Sequence, residues 1–453
     1  MKIIVGGAGS VGRSIIGYLS RGSNDIIVVD LNQDRLDEIA REFDVQPVLG
    51  SVSNPDIQEK IGADTADILI AATSNDEVNM VACQVAYSLF NVPKRISRIG
   101  SKHFLNPVWN SLYNEKNLPI DLVISPDNEI AEAILRVIDL PGTKEVYPLA
   151  DDKFYAVGFK CNKNCQLNNF TISDIYENFK DIKFRILQIL REGQNFYPKS
   201  DEVLKCNDEI YLLAKYDDII SLLHDFGVNQ KVNENVVIFG GNSISYDLAK
   251  SLEENENVLS CKIITNNSSA ANFLAENLDK TVIIQGEMMS DVILKDAGID
   301  TADITVAVTE QDKDNLLVSL LAKHSHTCST VSLVNSRAYD GLIDNIVDNI
   351  IIDRSSVTIS KILQDIRKSG LSNAYSLGRG FGELWEIKLK AEQPVTGKKL
   401  SDLNIPDKCR IIAVIRDGEL IVLQQDDVLQ TDDILIVFVA PLGIKKMEHI
   451  FSY

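Results

Sequence analysis

Lys2-Ile3-Ile4-Val5-Gly6-Gly7-Ala8-Gly9-Ser10-Val11-Gly12 opens the chain, an apolar run ending in glycines spaced Gly7-x-Gly9-x-x-Gly12. The β-branched run predicts a strand, and a helical pattern starts near Val11. The next apolar run, Ile26 to Val29, closes on Asp30, 18 residues beyond Gly12. Each glycine then has a physical task. Gly7 allows the tight turn, Gly9 lets the backbone approach a diphosphate, and Gly12 lets the helix pack close to the sheet. The free N–H groups at the helix N-terminus would meet the phosphates. Strand, spacing and acid together make a dinucleotide-type fingerprint far stronger than a bare glycine pattern. Asp30 would accept hydrogen bonds from ribose hydroxyls and repel a 2′-phosphate, favouring NAD(H) or an adenine nucleotide over NADP(H).

Working outward, strands Lys2-Val5, Ile26-Val29, Pro47-Leu49, Ile68-Ala72 and Arg95-Ile99 alternate with helical patterns such as Asp34 to Phe43 and Asp76 to Phe90. That alternation predicts an α/β fold with a doubly wound parallel sheet. A strand at Asp121-Ser125 and a helix at Asn128 to Ile138 close the domain, and Pro141-Gly142 marks a linker. The candidate ligand residues are Gly7, Ala8, Gly9, Ser10, Val11, Gly12 and Asp30, joined at the carboxyl ends of later strands by Thr73, Ser74 and Arg98. Thr73-Ser74 reads either as a ligand contact or as a helix N-cap before Asp76-Glu77. Arg98 reads either as a phosphate partner or as a member of an ion pair.

The whole plan occurs twice. Asp64-Thr65-Ala66-Asp67-Ile68-Leu69-Ile70-Ala71-Ala72-Thr73 reappears as Asp300-Thr301-Ala302-Asp303-Ile304-Thr305-Val306-Ala307-Val308-Thr309, with Asn79 and Asn315 following at matching distance. Ile3 to Gly12 has its counterpart in Val236 to Ser245. Each copy continues into a small module in which Ile172-Ser173-Asp174-Ile175 matches Leu400-Ser401-Asp402-Leu403 and Asp208-Glu209-Ile210 matches Asp432-Asp433-Ile434. Four domains are expected: a Rossmann-like A1 at 1–139, a small α+β B1 at 140–230, a second Rossmann-like A2 at 231–370 and a second small α+β B2 at 371–453. Short strands are expected at Phe154-Phe159, Arg185-Arg191 and Glu209-Leu213 in B1, and at Leu384-Leu389, Arg410-Arg416, Leu420-Leu423 and Ile434-Ala440 in B2.

The second glycine loop has decayed. Gly240-Gly241-Asn242-Ser243-Ile244-Ser245 puts Asn242 and Ser245 at the second and third glycine positions, and Thr265 or Asn266 stands where the acid belongs. One full nucleotide site per chain is expected, with a structural or weakly binding role for A2.

Composition narrows the partners. A formal charge of -20 without a basic stripe opposes nucleic acid and disfavours direct docking on anionic lipid. No apolar run approaches the ~20 residues that span a bilayer, and the N-terminus enters a strand without a signal-peptide core, so a cytosolic chain without direct membrane insertion is expected. Seven scattered cysteines read as reduced structural thiols. The acidic pairs Asp426-Asp427 and Asp432-Asp433 invite a cation-site reading against that of solvated turns. His324-x-His326 has no third ligand in view and reads as a loop after a helix.

These residues resemble the Trk-system potassium-uptake protein A family, a tandem of two RCK-type domains, and the resemblance spans the full length. It is carried by Lys2 to Gly12, Val28-Val29-Asp30, Ala71-Ala72-Thr73-x-x-Asp76-Glu77-x-Asn79-Met80 and Ser97-Arg98-Ile99. The second copy adds Asp312-x-Asp314-Asn315 and Val334-Asn335-x-Arg337. It implies a cytosolic ring built from dimers, a tetramer, peripherally bound to the inner face of the membrane through a membrane-embedded potassium-translocating subunit. That subunit's gating would follow bound NAD(H) or ATP/ADP, with Gly7 to Gly12, Asp30, Thr73, Ser74 and Arg98 as the first nucleotide site. Gly100 stands where the family often has a second arginine. The rival reading is an NAD-dependent oxidoreductase, since the same fingerprint serves dehydrogenases. Against it, every segment outside the Rossmann-like domains is about 80 residues long and occurs twice, and the five histidines lie off the expected strand ends.

Overall fold

In this computed structural model the residues described are 1–20, 24–105, 107–228, 231–325, 329–335, 349–366, 371–378 and 381–451. His326, Cys328 and Arg337 lie outside them. In A1, β1 (Lys2–Gly6) is buried on both faces, which is why it reads as a continuous apolar run rather than an alternating one. Then follow α1 (Ser10–Leu19), β2 (Asp25–Asp30), α2 (Gln33–Glu42), β3 (Gln46–Leu49), α3 (Pro55–Lys60), β4 (Ile68–Ala71), α4 (Asp76–Phe90), β5 (Lys94–Arg98), α5 (Lys102–Leu105), β6 (Leu122–Ile124) and α6 (Pro126–Asp139). The sheet runs β3-β2-β1-β4-β5-β6 and its pairings are parallel, so the order reverses between β1 and β4.

B1 comprises β7 (Thr143–Leu149), β8 (Phe154–Lys160), α7 (Ile172–Asn178), β9 (Phe184–Arg191), β10 (Gln194–Phe196), β11 (Glu209–Lys215) and α8 (Tyr216–Asp225). Its antiparallel sheet has the order β10-β9-β11-β8-β7. A2 repeats A1 through β12 (Asn235–Phe239), α9 (Ser243–Glu254), β13 (Ser260–Thr265), α10 (Ser268–Asn277), β14 (Val282–Gln285), α11 (Asp291–Ala297), β15 (Ile304–Ala307), α12 (Asp312–His324), β16 (Ser329–Val334), β17 (Asn349–Asp353) and α13 (Arg354–Ile366). Its strand order, β14-β13-β12-β15-β16-β17, is that of A1. B2 is built from β18 (Leu371–Leu377), β19 (Gly382–Lys388), β20 (Arg410–Arg416), β21 (Glu419–Ile421), β22 (Ile434–Val439) and α14 (Ile444–Phe451), with the order β18-β19-β22-β20-β21.

Three strands go beyond the sequence reading. β7 and β18 each contain an irregularity, at Thr143/Glu145 and Leu371/Asn373, which breaks the alternation that betrays a strand. Pro148 also sits in β7, which is an edge strand and tolerates it. β10 is three residues long, too short for a period to register.

The last helix of each Rossmann-like unit crosses to the other. Ile130, Ile134, Val137 and Ile138 of α6 share a core with Val236, Ile238, Leu248 and Leu252 of A2, and that core continues into B1 through Phe159 and Phe226. Reciprocally, Ile362 of α13 is buried in the A1 core with Ile15 and Ile16, while Ile359 and Leu363 join the core of B2. Asp127 at the start of α6 ties this crossing down, accepting from Ser243 at the start of α9 and pairing with Arg354 at 3.1 Å. B1 and B2 meet face to face through Phe154, Leu187 and Leu213 on one side and Leu384, Ile412 and Phe438 on the other.

Candidate functional site

The carboxyl end of β1 turns at Gly7, whose φ of +106° belongs to the left-handed side that glycine tolerates. A β-carbon there would lie 2.7 Å from the Ala72 carbonyl oxygen, and one on Gly12 would lie 1.8 Å from that of Gly7. Packing alone therefore requires both glycines. Gly9 differs: its φ of -73° and ψ of -172° suit any residue, and, chain neighbours apart, no atom of the described residues lies within 4 Å of where its β-carbon would stand. Gly9 is also the N-cap of α1, which has no side-chain cap and no acidic residue in its first turn, so the first N–H groups of the helix are left without a carboxylate or hydroxyl of its own. Val11 and Gly12 are buried and Ser10 is exposed, in keeping with a helix that shows only its tip. The residues present fit a phosphate group.

Asp30 ends β2 beside this turn. One carboxylate oxygen accepts the Ala8 N–H at 2.6 Å and the other accepts the Asn32 N–H at 2.8 Å. It thus holds the glycine loop in place, a role the sequence reading did not give it. Each oxygen keeps a further lone pair for a ribose hydroxyl.

Across the switch point, Thr73 donates its hydroxyl to Asn79 Oδ1 at 2.7 Å and its N–H to the same oxygen at 3.0 Å. Asn79, fully buried, returns its amide to the carbonyls of Thr73 and Arg98. The buried amide thereby locks the ends of β4 and β5 together, and Asn315 does the same for Thr309 and Leu333 in A2. Asn79 stood in the sequence as a repeat match and in the stretch that carries the family resemblance, without a role; its identical spacing from a threonine in both copies was the available signal. The N-cap reading of Thr73-Ser74 is corrected: the N-cap of α4 is Asn75, which accepts from Val78 N at 2.7 Å. Ser74 is exposed at this edge. Half-buried Arg98 donates to the Thr73 carbonyl at 3.3 Å, which lays its guanidinium over the end of β4. Gly100 N–H and Ser101 N–H both bind the Asp76 carboxylate, so the turn after β5 is fixed by an acid of α4.

In A2 the corresponding tip is filled by protein. Asn242 caps α9, accepting from the Ser245 N–H and hydroxyl at 3.1 Å each, and donates to the Val308 carbonyl at 2.7 Å. Thr265 is buried at the end of β13 and accepts from Asn267 N.

The other motifs resolve into structure. Asp433 is 1% exposed and bound at both oxygens by Arg416, and Asp208 is held in the same way by Arg191, so Asp433 belongs to a repeated buried ion pair, while its neighbour Asp432 is exposed and stands 3.7 Å from Lys388. Asp426 pairs with Lys399 and Asp427 accepts from Gln424 N. No group of three metal-ligating side chains occurs among the described residues. The six described cysteines are free thiols, and five of them are buried. His324 lies in the last turn of α12 rather than in a loop.

A duplicated doubly wound unit with a glycine-turn site, each copy followed by a small antiparallel module, is the RCK class of architecture. The TrkA-N domain model matches residues 3–126 and again 236–353, and the TrkA-C domain model matches residues 384–452. The chain belongs to the Trk system potassium uptake protein TrkA family. It is 32% identical to the TrkA proteins of Azorhizobium caulinodans and Vibrio alginolyticus, covering all of this chain and 98% and 99% of theirs. The fold is shared with the crystal structure of the GsuK RCK domain, at a TM-score of 0.63 and 19% identity over 99% of this chain and 94% of that one. It is shared as well with the GsuK channel bound to NAD, at 0.62 and 17% over 99% and 78%. The relatives are named for potassium uptake and not for an enzymatic activity, and the oxidoreductase alternative is set aside.

Proposed function

We propose that this chain is the nucleotide-sensing regulatory subunit of a Trk-type potassium-uptake system, residing in the cytoplasm and docking on a membrane-embedded potassium-translocating subunit. The observation that carries the nucleotide reading is Gly9, a glycine that neither backbone geometry nor packing demands and that sits at an uncapped helix tip. Residues 7–12 and Asp30 would receive the diphosphate and ribose of NAD(H) or ATP/ADP, with Thr73, Ser74 and Arg98 at the far wall. No helix among the described residues is long and apolar enough to cross a membrane, consistent with attachment through a partner. Exposed apolar residues recur on α4 (Val81, Leu89) and on its counterpart α12 (Leu317, Leu320), surfaces suited to joining chains into a ring of dimers, a tetramer.

The route from ligand to partner runs through α1. Its Ser14 hydroxyl meets the Ser355 hydroxyl of α13 at 2.7 Å, and α13 leads into β18, the first strand of B2. A nucleotide that draws the α1 tip toward its phosphates would shift α13 and with it B2. The partner's state then changes only as far as nucleotide affinity differs between the two arrangements.

The test is titration calorimetry with NADH, NADPH, ATP and ADP on the wild-type chain and on Gly9→Ala, followed by co-purification with a Trk-type membrane subunit. One NADH or adenine nucleotide per chain, weaker NADPH, and at least tenfold weaker binding by Gly9→Ala support the reading. Absence of binding, or binding indifferent to Gly9→Ala, overturns it.

A further inference from the structure

The two crossing helices enclose a cavity of about 710 Å³ that none of the nucleotide residues lines. Its walls are α6, β17, α13, the sheet of B1 and the start of B2, so it lies where all the units except A1's sheet converge. Its apolar lining includes Val137, Val146, Leu190, Ile352, Val357 and Phe381. The volume is that of a site for a small organic molecule.

Much of the polar lining is paired within the protein. Glu145 Oε2 accepts from the hydroxyls of Tyr147 and Tyr211 at 2.8 and 2.9 Å and from Gly378 N at 3.2 Å. Lys361 pairs with Glu129 at 3.3 Å, Lys144 pairs with Glu209, and Asp353 accepts from Ser355 N and from the Ser356 hydroxyl. Among the described residues, Arg136 and Lys160 are the lining cations not held in a close pair. The Arg136 side chain is 29% exposed and its carboxylate contact, Glu132, stands 3.7 Å from Nη1. Its guanidinium therefore keeps N–H donors for an anion in the cavity.

We infer that this cavity is a second ligand site, independent of the nucleotide loop, for an organic molecule with one anionic group directed at Arg136 and an apolar body against Val137, Val146 and Val357. The paired acids elsewhere on the wall disfavour a ligand with several negative charges. Because the occupant would touch both α6 and α13, it would brace α13, through which the α1 tip reaches B2, against α6.

The probe is 8-anilinonaphthalene-1-sulfonate, which carries a single sulfonate on an aromatic body, titrated by fluorescence into the full chain with and without saturating NADH. The expected result is saturable binding of about one probe per chain that NADH does not displace. Affinity should fall about tenfold or more in Arg136→Met, be abolished in Val357→Trp and stay unchanged in the surface variant Arg41→Met. Displacement by NADH, binding that survives Val357→Trp, or binding indifferent to Arg136→Met overturns the proposal. A cooperative melt certifies each variant. If one fails it, hydrogen exchange on the wild-type chain decides, since probe-induced protection in α6, β7 and α13 supports the site and protection elsewhere overturns it. Calorimetry with NADH reads the nucleotide loop separately, so either site can fail alone.

Discussion

The Asp30 carboxylate and the Ala8 amide are 2.6 Å apart, joining the end of the second strand to the middle of the glycine turn. The acid that marks the ribose position in the sequence is thus also the clamp on the loop that would grip the phosphates. Asp30→Ala is expected to lower stability by about 1–2 kcal/mol, since it strips an acceptor from two backbone N–H groups, and to weaken NADH at least tenfold. Asp30→Asn keeps an acceptor and removes the charge, so it is expected to narrow the preference for NADH over NADPH. Urea unfolding and calorimetry check both.

Gly9 and Gly12 separate binding from folding. Gly12→Ala drives a methyl group into the Gly7 carbonyl and is expected to cost about 2–3 kcal/mol or to abolish folding. Gly9→Ala meets open space and is expected to leave stability within about 0.5 kcal/mol. Thermal melts of the two variants, read beside the nucleotide titrations, distinguish a loop kept for packing from one kept for a ligand.

In A2, Asn242→Ala removes a cap that serves Ser245 N and a donor to Val308. The expected loss is about 1 kcal/mol of stability with no change in the number of nucleotides bound per chain. Denaturant unfolding with calorimetric stoichiometry measures the two together, and a changed stoichiometry would show that A2 takes part in binding.

Asp433→Ala leaves the Arg416 guanidinium against a sheet without its bidentate partner. Because Arg416 keeps some solvent contact, a loss of about 2–3 kcal/mol is expected, toward the low end for a broken buried pair. Asp208→Ala should behave alike, since Arg191 repeats the geometry in B1. A deletion of either acid that proves neutral in chemical denaturation would remove the pairs from the account of stability.

Glu383, wholly buried in B2, is pushed up to about 8, chiefly by burial, while its bond from the Trp385 indole at 2.5 Å opposes the shift. The raised value means that the folded chain keeps a proton that the unfolded chain has released. The contribution is complete below about pH 4.5 and is lost progressively up to about pH 8, at roughly 1.4 kcal/mol per pH unit for this one group. Burial raises Glu145 in the same direction. Denaturant unfolding between pH 5 and 9 is expected to show stability falling with pH, and Glu383→Gln is expected to flatten the slope.

The parallel sheets were legible because buried strands such as Ile3-Ile4-Val5 advertise themselves in one uninterrupted run, and because the Asp64 and Asp300 segments repeat almost residue for residue. The antiparallel edges were not, since an irregularity in β7 and another in β18 scramble the alternation there. At the candidate site the glycines and Asp30 stood out by spacing, whereas Asn79's tie between the ends of β4 and β5 takes shape only when those strands come together, and Asn75 competes with Thr73 and Ser74 as a cap on equal chemical terms. The sharing of α6 and α13 left no local trace at all, because an amphipathic helix reads the same whichever sheet it covers.

That sharing has a consequence for how the two copies relate. Neither half of the chain can finish its own hydrophobic interior, so the tandem is in effect an obligate pair of subunits fused head to tail, held by mutual completion more than by the peptide link between them. Fusion releases the pair from the need to be identical. One half is free to keep an open glycine turn while the other fills the same turn with Asn242 and Ser245, and both retain the helix that their neighbour requires. The asymmetry in the loops and the symmetry in the scaffold follow from the same exchange.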